Sequence, residues 1–321
     1  MVACRARRGS RRTTTVLEVA RHTVGQQRIR EASEDIDRRA QGRWHWLRHG
    51  GLSLKGLGEM RDELLDHVAA RTVDDPALDA AHTRTVLRTA AECALGVLSL
   101  GAFPNGDFEV PLPLVGERLS SEDLSFGDAV DQAPTTVTWV DAFALCVVSG
   151  LVREQQRVIG LLLRTDYAPA VRDGVPYSPL ESRSSPAGLA EMDALCGYLT
   201  PARGHLPRDR PSVTLCKPDA DERGEGVRRL DAAGPLTPDQ RLLRVLLKDD
   251  RTAFEEALAR RLVQYREKMA ADAAPRSLLP VGTVALAALA VQVHGWELGV
   301  RSGYLPDVLL GPPDGGQPTA G

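Results

Sequence analysis

Apolar positions along this chain recur every three or four residues over long stretches, the spacing that gathers them on one face of an α-helix. After Ser53, whose hydroxyl suits an N-cap, Leu57, Met60, Leu64, Leu65 and Val68 form one such stripe and predict a helix to about residue 73. Val86, Leu87, Ala90, Ala94, Val97 and Leu98 predict another, from just after Pro76 to about residue 100. Residues 26–47 carry helical spacing at high charge density and end in Trp44, His45 and Trp46, before the break at His49-Gly50-Gly51. Three helices joined by short turns predict an antiparallel stack.

The pattern then breaks. Pro104-Asn105-Gly106-Asp107 is a turn signal, and Pro111 and Pro113 interrupt any helix, so residues 101–120 are expected to be a long irregular connection with a short strand pair around 108–110. A short acidic helix is expected over 122–131, a heavily apolar one over 135–152 and an amphipathic one over 154–164. Loop follows over 169–186, then a helix at 189–199 and a Pro-rich irregular stretch at 201–218. The last third is again helical, over 222–230, 238–248 and 253–268. Thr237 caps a helix whose first position is Pro238, and Lys248-Asp249-Asp250-Arg251 turns one helix back on the next. No period is sustained, so a regular solenoid is not expected.

Residues 281–306 close the pattern. An almost unbroken apolar run reaches Val293 and ends in a knot of His294, Trp296, Glu297, Arg301 and Tyr304. A helix apolar on nearly every side is buried on nearly every side. The run is about a dozen residues against the roughly 20 of a membrane span, which predicts a core helix and no membrane. The expected fold is therefore mostly α: a single-domain, irregular multi-helix bundle of antiparallel helical hairpins around a central apolar C-terminal helix, with little or no strand. Residues 16–310 form that domain, between a disordered basic extension at 1–15 and a disordered Gly- and Pro-rich tail at 311–321.

Composition supports helices, since only 4% of the 321 residues are aromatic while Leu, Ala and Val dominate. Net charge is −3, but Arg5, Arg7, Arg8, Arg11 and Arg12 face no acid in the first fifteen residues, and the remainder carries −8. An acidic body argues against nucleic acid as the direct ligand. No apolar segment follows those arginines, so no signal peptide is expected. Five cysteines, widely spaced and without a Cys-x-x-Cys pair, are ordinary usage for a reducing cytoplasm.

Chemical motifs are sparse. There is no Walker pattern, no dinucleotide fingerprint and no Gly-x-Ser-x-Gly elbow. Cys93, Cys146 and Cys196 sit in apolar helical faces, where cysteine packs as a small hydrophobe. Two clusters have metal-ligand residue types: His294 with Glu297, and Asp62, Glu63 and Asp66 with His67. Neither gives the Glu-x-x-His pairs of carboxylate-bridged sites. Glu297 can equally pair with Arg301 one turn on, leaving His294 a satisfied core histidine. No catalytic residue, metal or cofactor is assigned. The acidic run Glu117, Glu122, Asp123, Asp128 and Asp131, against the single Arg118, is either a solvated face or a surface for a basic partner.

Five stretches carry a family resemblance: LRTAAECALGVLSLGAFPNGDFEVPLPLV at 87–115, TWVDAFALCVVSGLV at 138–152, AEMDALCGYLT at 190–200, LCKPDADE at 215–222 and VQVHGWELGVRSGYLP at 291–306. Through them the chain resembles the immunity 49 family, predicted immunity proteins of bacterial polymorphic toxin systems, in its actinobacterial form. The resemblance implies a cytoplasmic, non-enzymatic protein that binds and neutralises a cognate toxin domain. An acidic body suits a basic, nuclease-type toxin. Partner contacts are expected on the loops at 101–120 and 169–186, first at Glu122, Asp123, Asp128 and Asp131, while His294, Trp296, Glu297, Arg301 and Tyr304 are expected to lock the central helix. The alternative is a small-molecule- or metal-binding helical enzyme with a cleft near His294 and Glu297, beside Trp44 and Trp46.

Overall fold

A computed structural model describes residues 16–122, 130–154, 158–175, 180–201 and 213–311. The basic extension, Asp123, Asp128 and the tail from residue 312 lie outside the described residues. Within them the protein is mostly α, as the periodicity predicts. The N-terminal layer comprises α1 (Gln26–Ser33), α2 (Ile36–His49), α3 (Leu54–Asp74) and α4 (Ala81–Ala102). One helix was expected over 26–47, but the chain turns at Asp35, whose φ of 50° lies in the left-handed region that short polar side chains tolerate. Ser53 caps α3 as expected, its Oγ accepting from Gly56 N at 3.0 Å.

The irregular connection contains a hairpin. Strands β2 (Glu109–Leu112) and β3 (Glu117–Ser120) pair antiparallel, Val110 opposite Leu119, and β2 packs on α4. Then comes α5 (Thr136–Val148), closed at its start by a reciprocal Thr135–Thr138 capping box. The amphipathic helix expected over 154–164 is displaced toward the C-terminus, with residues 155–157 outside the described ones. A 3₁₀ turn (Leu151–Arg153) comes first, and α6 (Ile159–Leu162) runs through a π turn into α7 (Ala168–Asp173), where loop was expected. Pro169 falls in the first turn of α7, where a missing N–H is tolerated.

The C-terminal half holds α8 (Pro186–Cys196), a strand pair β4 (Leu199–Pro201) with β5 (Val213–Leu215), and then α9 (Ala220–Ala232), α10 (Pro238–Leu247), α11 (Arg251–Lys268) and α12 (Val281–Gln292). Helix α12 packs against α5 and α10, and α5 also meets α4 and α8, so this pair joins the two halves. Trp139 and Phe143 stack at 5.3 Å within that junction. Both α4 and the run Pro275–Gln292 are long and apolar enough to cross a membrane, but most of each is enclosed by the rest of the protein.

The segment after α12 corrects the expectation most. It is not helical: Gly295 takes φ 69°, Trp296 N–H turns back to the Ala290 carbonyl at 3.0 Å, and the chain leaves the helix there. Residues Val300–Ser302 form β6, which pairs in parallel with β1 (Leu17–Val19) and so ties the end of the domain to its beginning, before a last turn α13 (Asp307–Leu310). Glu297 and Arg301 are consequently not one helical turn apart, and both are exposed.

Candidate functional site

The five C-terminal residues singled out in the sequence separate into two locks and two surface positions. In the first lock the His294 side chain is wholly enclosed. Its Nδ1 is 2.9 Å from Asp249 Oδ1 and its Nε2 is 2.9 Å from the Tyr198 hydroxyl. Burial lowers the pKa of the imidazole, and Asp249 only partly offsets that, so a neutral ring donates from Nδ1 and accepts the Tyr198 O–H. Asp249, at φ 61°, also takes Lys217 Nζ at 2.5 Å and Arg223 Nη2 at 3.3 Å. Burial alone would raise the Asp249 carboxyl; the bonds from Lys217 and His294 bring it below the usual range. Trp296 covers the imidazole at 4.7 Å and meets Phe254 at 5.6 Å. The network thus pins the α10–α11 turn to the end of α12, with no free nitrogen on His294.

Tyr304 makes the second lock. It is fully buried, accepts the His22 backbone N–H at 3.0 Å, and lies 2.7 Å from His22 Nδ1. Ser277 donates to the Ala274 carbonyl, so its oxygen must accept from His22 Nε2–H at 2.9 Å, and Tyr304 therefore donates to Nδ1. Burial, then the charge of Arg21, holds His22 neutral. Trp44 is not part of either lock: its indole N–H points to the Arg118 carbonyl of β3, and Trp46 is exposed.

Of the acidic group, Glu122 is exposed and pairs with Arg118 at 3.3 Å, while Asp131 is exposed. Arg118 also holds Glu109 at 3.1 Å, so the cation in this run is shared between two carboxylates. In the other acidic cluster Asp66 binds Arg276, Glu63 lies against Arg39 and Arg43, and His67 is buried on the Ala32 carbonyl at 3.0 Å. Among the described residues no group of three or more His, Cys, Asp or Glu side chains could hold a metal ion. Cys93, Cys146 and Cys196 are buried and, among the described residues, form no disulfide, and burial pushes the Cys93 and Cys196 thiols up to about 12.

Sequence reasoning missed the cleft with the most pointed chemistry. Helices α5, α8, α10 and α12 all begin around a cavity of about 320 Å³, walled by Val137, Val140, Phe143, Ala144, Leu195 and Leu286 and carrying Asp141, Glu191 and Asp239. Three of these four helix starts are already capped by side chains. Thr135 and Thr138 box α5, Ser185 Oγ accepts from Gly188 N, and Thr237 boxes with Gln240. Helix α12 has no side-chain cap of its own, but Asp239 stands at its start and accepts from Thr283 Oγ1 at 2.7 Å. Arg261 neutralises Asp239 through two bonds of 2.8 and 2.9 Å.

Among the described residues Glu191 has no such cation. Gln240 gives its Oε1 to Thr237 N at 2.9 Å, which fixes the amide so that Nε2 donates to Glu191 Oε2 at 2.8 Å. Burial, opposed by that bond and assisted by the charges of Asp239 and Asp141, pushes Glu191 up to about 7. Asp141 stands half-exposed, with Arg61 Nη1 at 3.7 Å, and among the described residues Val137 is the most exposed large apolar side chain, at 69%. Periodicity could flag Glu191 only as a polar residue within an apolar helix. Its neighbours Asp239 and Gln240 are some fifty residues away in sequence.

Fold and site define a mostly helical protein with closed polar locks and one acid-lined, apolar-walled cleft. The immunity protein 49 family model matches residues 75–309, and the chain belongs to that family. No curated protein and no solved structure matches it.

Proposed function

We propose that this protein acts in the cytoplasm as the immunity partner of a polymorphic toxin, binding a cognate toxin domain and blocking it by contact rather than by chemistry. The family match over most of the chain carries this reading. Physical features support it. Ion pairs such as Arg261–Asp239 and the His294–Asp249 lock stiffen a helical scaffold, and little order then has to be gained on binding. The chain outside the basic extension carries −8, which favours a cationic partner of the nuclease type. Glu122 and Asp131, with Asp123 and Asp128 between them in sequence, form the proposed outer contact.

Against an enzyme working near His294 and Glu297 stands the geometry there: both imidazole nitrogens are engaged inside the protein, and Glu297 is on the surface. Co-expression with the toxin domain encoded beside this protein tests the proposal. A stoichiometric complex is expected, and replacing Glu122, Asp123, Asp128 and Asp131 with lysine should weaken it at least about tenfold. Full protection by that variant would remove the acidic group from the contact surface.

A further inference from the structure

The cleft between α5, α8, α10 and α12 has a charge balance that selects its occupant. The starts of α5, α8 and α10 are capped by side chains and the carboxylate of Asp239 stands at the start of α12, so an anion is disfavoured there, while Asp239 itself is already neutralised by Arg261. What remains, among the described residues, is Glu191, bonded by a neutral amide alone, with Asp141 at 3.7 Å from Arg61. Around them the walls are apolar, and exposed Val137 adds an apolar rim. At about 320 Å³ the cavity is at the small end of ligand pockets, which run roughly 300–1,000 Å³.

We propose that this cleft is a receptor for an alkyl cation, the arginine or lysine side chain by which the toxin is anchored. The proposal rests on the immunity reading and adds to it a buried anchor distinct from the acidic run at 122–131. The alkyl stem lies along Val140, Phe143 and Leu286, and the charged head meets the second oxygen of Glu191. Anchors of this kind, a basic or aromatic side chain in a desolvated pocket within an apolar rim, dominate interface energies. Glu191 is ready for the role because burial, which raises it to about 7, leaves it divided between acid and carboxylate at pH 7; a cation arriving beside it draws it to the carboxylate, and the proton held by the acid form leaves to solvent. The other charged groups around it are fixed: Asp141 on α5 beside Arg61 of α3, and Asp239 on α10 beside Arg261 of α11.

Two measurements on the full chain test this. Glutamate side-chain carbons are followed by NMR through a pH titration with n-butylguanidinium and, separately, with uncharged n-butylurea. The guanidinium should lower the Glu191 midpoint and the urea should not. Equal responses, or none, would overturn the cation site. In parallel, toxin binding is measured for Glu191→Gln, which keeps the bond to Gln240, and for Val137→Lys, which sets a like charge at an exposed rim. Each should weaken the complex by about tenfold or more, through a lost or opposed charge-assisted contact. Undiminished binding by both variants would overturn the anchor while leaving the immunity function standing. Failure of the unaltered protein to bind any toxin would instead remove the function, and the anchor with it.

Discussion

At the scale of single residues, the buried titratable groups make opposite demands on pH. Glu191 is an acid whose folded value, about 7, is above its unfolded one, so between roughly pH 4.5 and 7 the folded state holds the extra proton. Its contribution to stability therefore falls as pH rises through that window. Glu191→Gln should stabilise the protein at pH 8, by on the order of 2 kcal/mol, and leave it unchanged near pH 4, as read by denaturant midpoints. His67 is a base held neutral by burial, with its folded value lowered to about 4. Here the unfolded state takes up the proton first, so stability is complete above about pH 6.5 and is lost as pH falls toward 4. A His67→Gln variant should show a shallower acid limb. His294 is different, being engaged on both nitrogens. Tyr198→Phe removes the donor to His294 Nε2 and strands a buried acceptor, at an expected cost of about 1–3 kcal/mol. An unchanged midpoint would show that the first lock contributes nothing.

Elements were legible in the sequence where local chemistry decides them. The stripe after Ser53, the Thr237-Pro238 start and the apolar run from Val281 all became helices, since capping and periodicity are properties of neighbouring residues. Errors fell where longer-range geometry prevails. The run from His294 to Tyr304 reads as a helical continuation until Gly295 is recognised as the left-handed exit, and its parallel pairing with residues 17–19 has no local trace. The cleft was invisible for the same reason. Asp141, Glu191 and Asp239 lie on three helices, and only packing brings them together. That packing depends on a close approach: a Cβ on Gly188 of α8 would stand 2.3 Å from Thr136 Oγ1 of α5. Gly188→Ala should therefore destabilise by about 1–3 kcal/mol, in the range of overpacking, and Thr136→Ala in the same chain should recover part of the loss. Equal stability of the single variant and the parent would mean that α5 and α8 are not held at this distance.

For the whole molecule, the beginning of the domain is fastened to its end. Strand β1 pairs with β6, Arg21 Nη1 reaches Thr72 Oγ1 at 2.8 Å and the Gly303 carbonyl at 3.3 Å, and His22 joins Tyr304 to Ser277. Removal of residues 1–24 should lower the melting temperature by several degrees, because it strips all of these contacts at once and leaves Tyr304 exposed to water. The same closure makes the body a stable frame, and its surplus negative charge gives that frame an electrostatic preference for cationic partners. Membership of the immunity protein 49 family then turns a physical preference into a biological proposal. Its most direct test is inhibition: the purified toxin domain encoded beside this protein is assayed for activity while the full chain is titrated in. Toxin activity should be lost at one equivalent, and Glu191→Gln should need about tenfold more protein for the same inhibition at toxin concentrations near the Kd. Undiminished toxin activity at saturating parent protein would contradict that proposal.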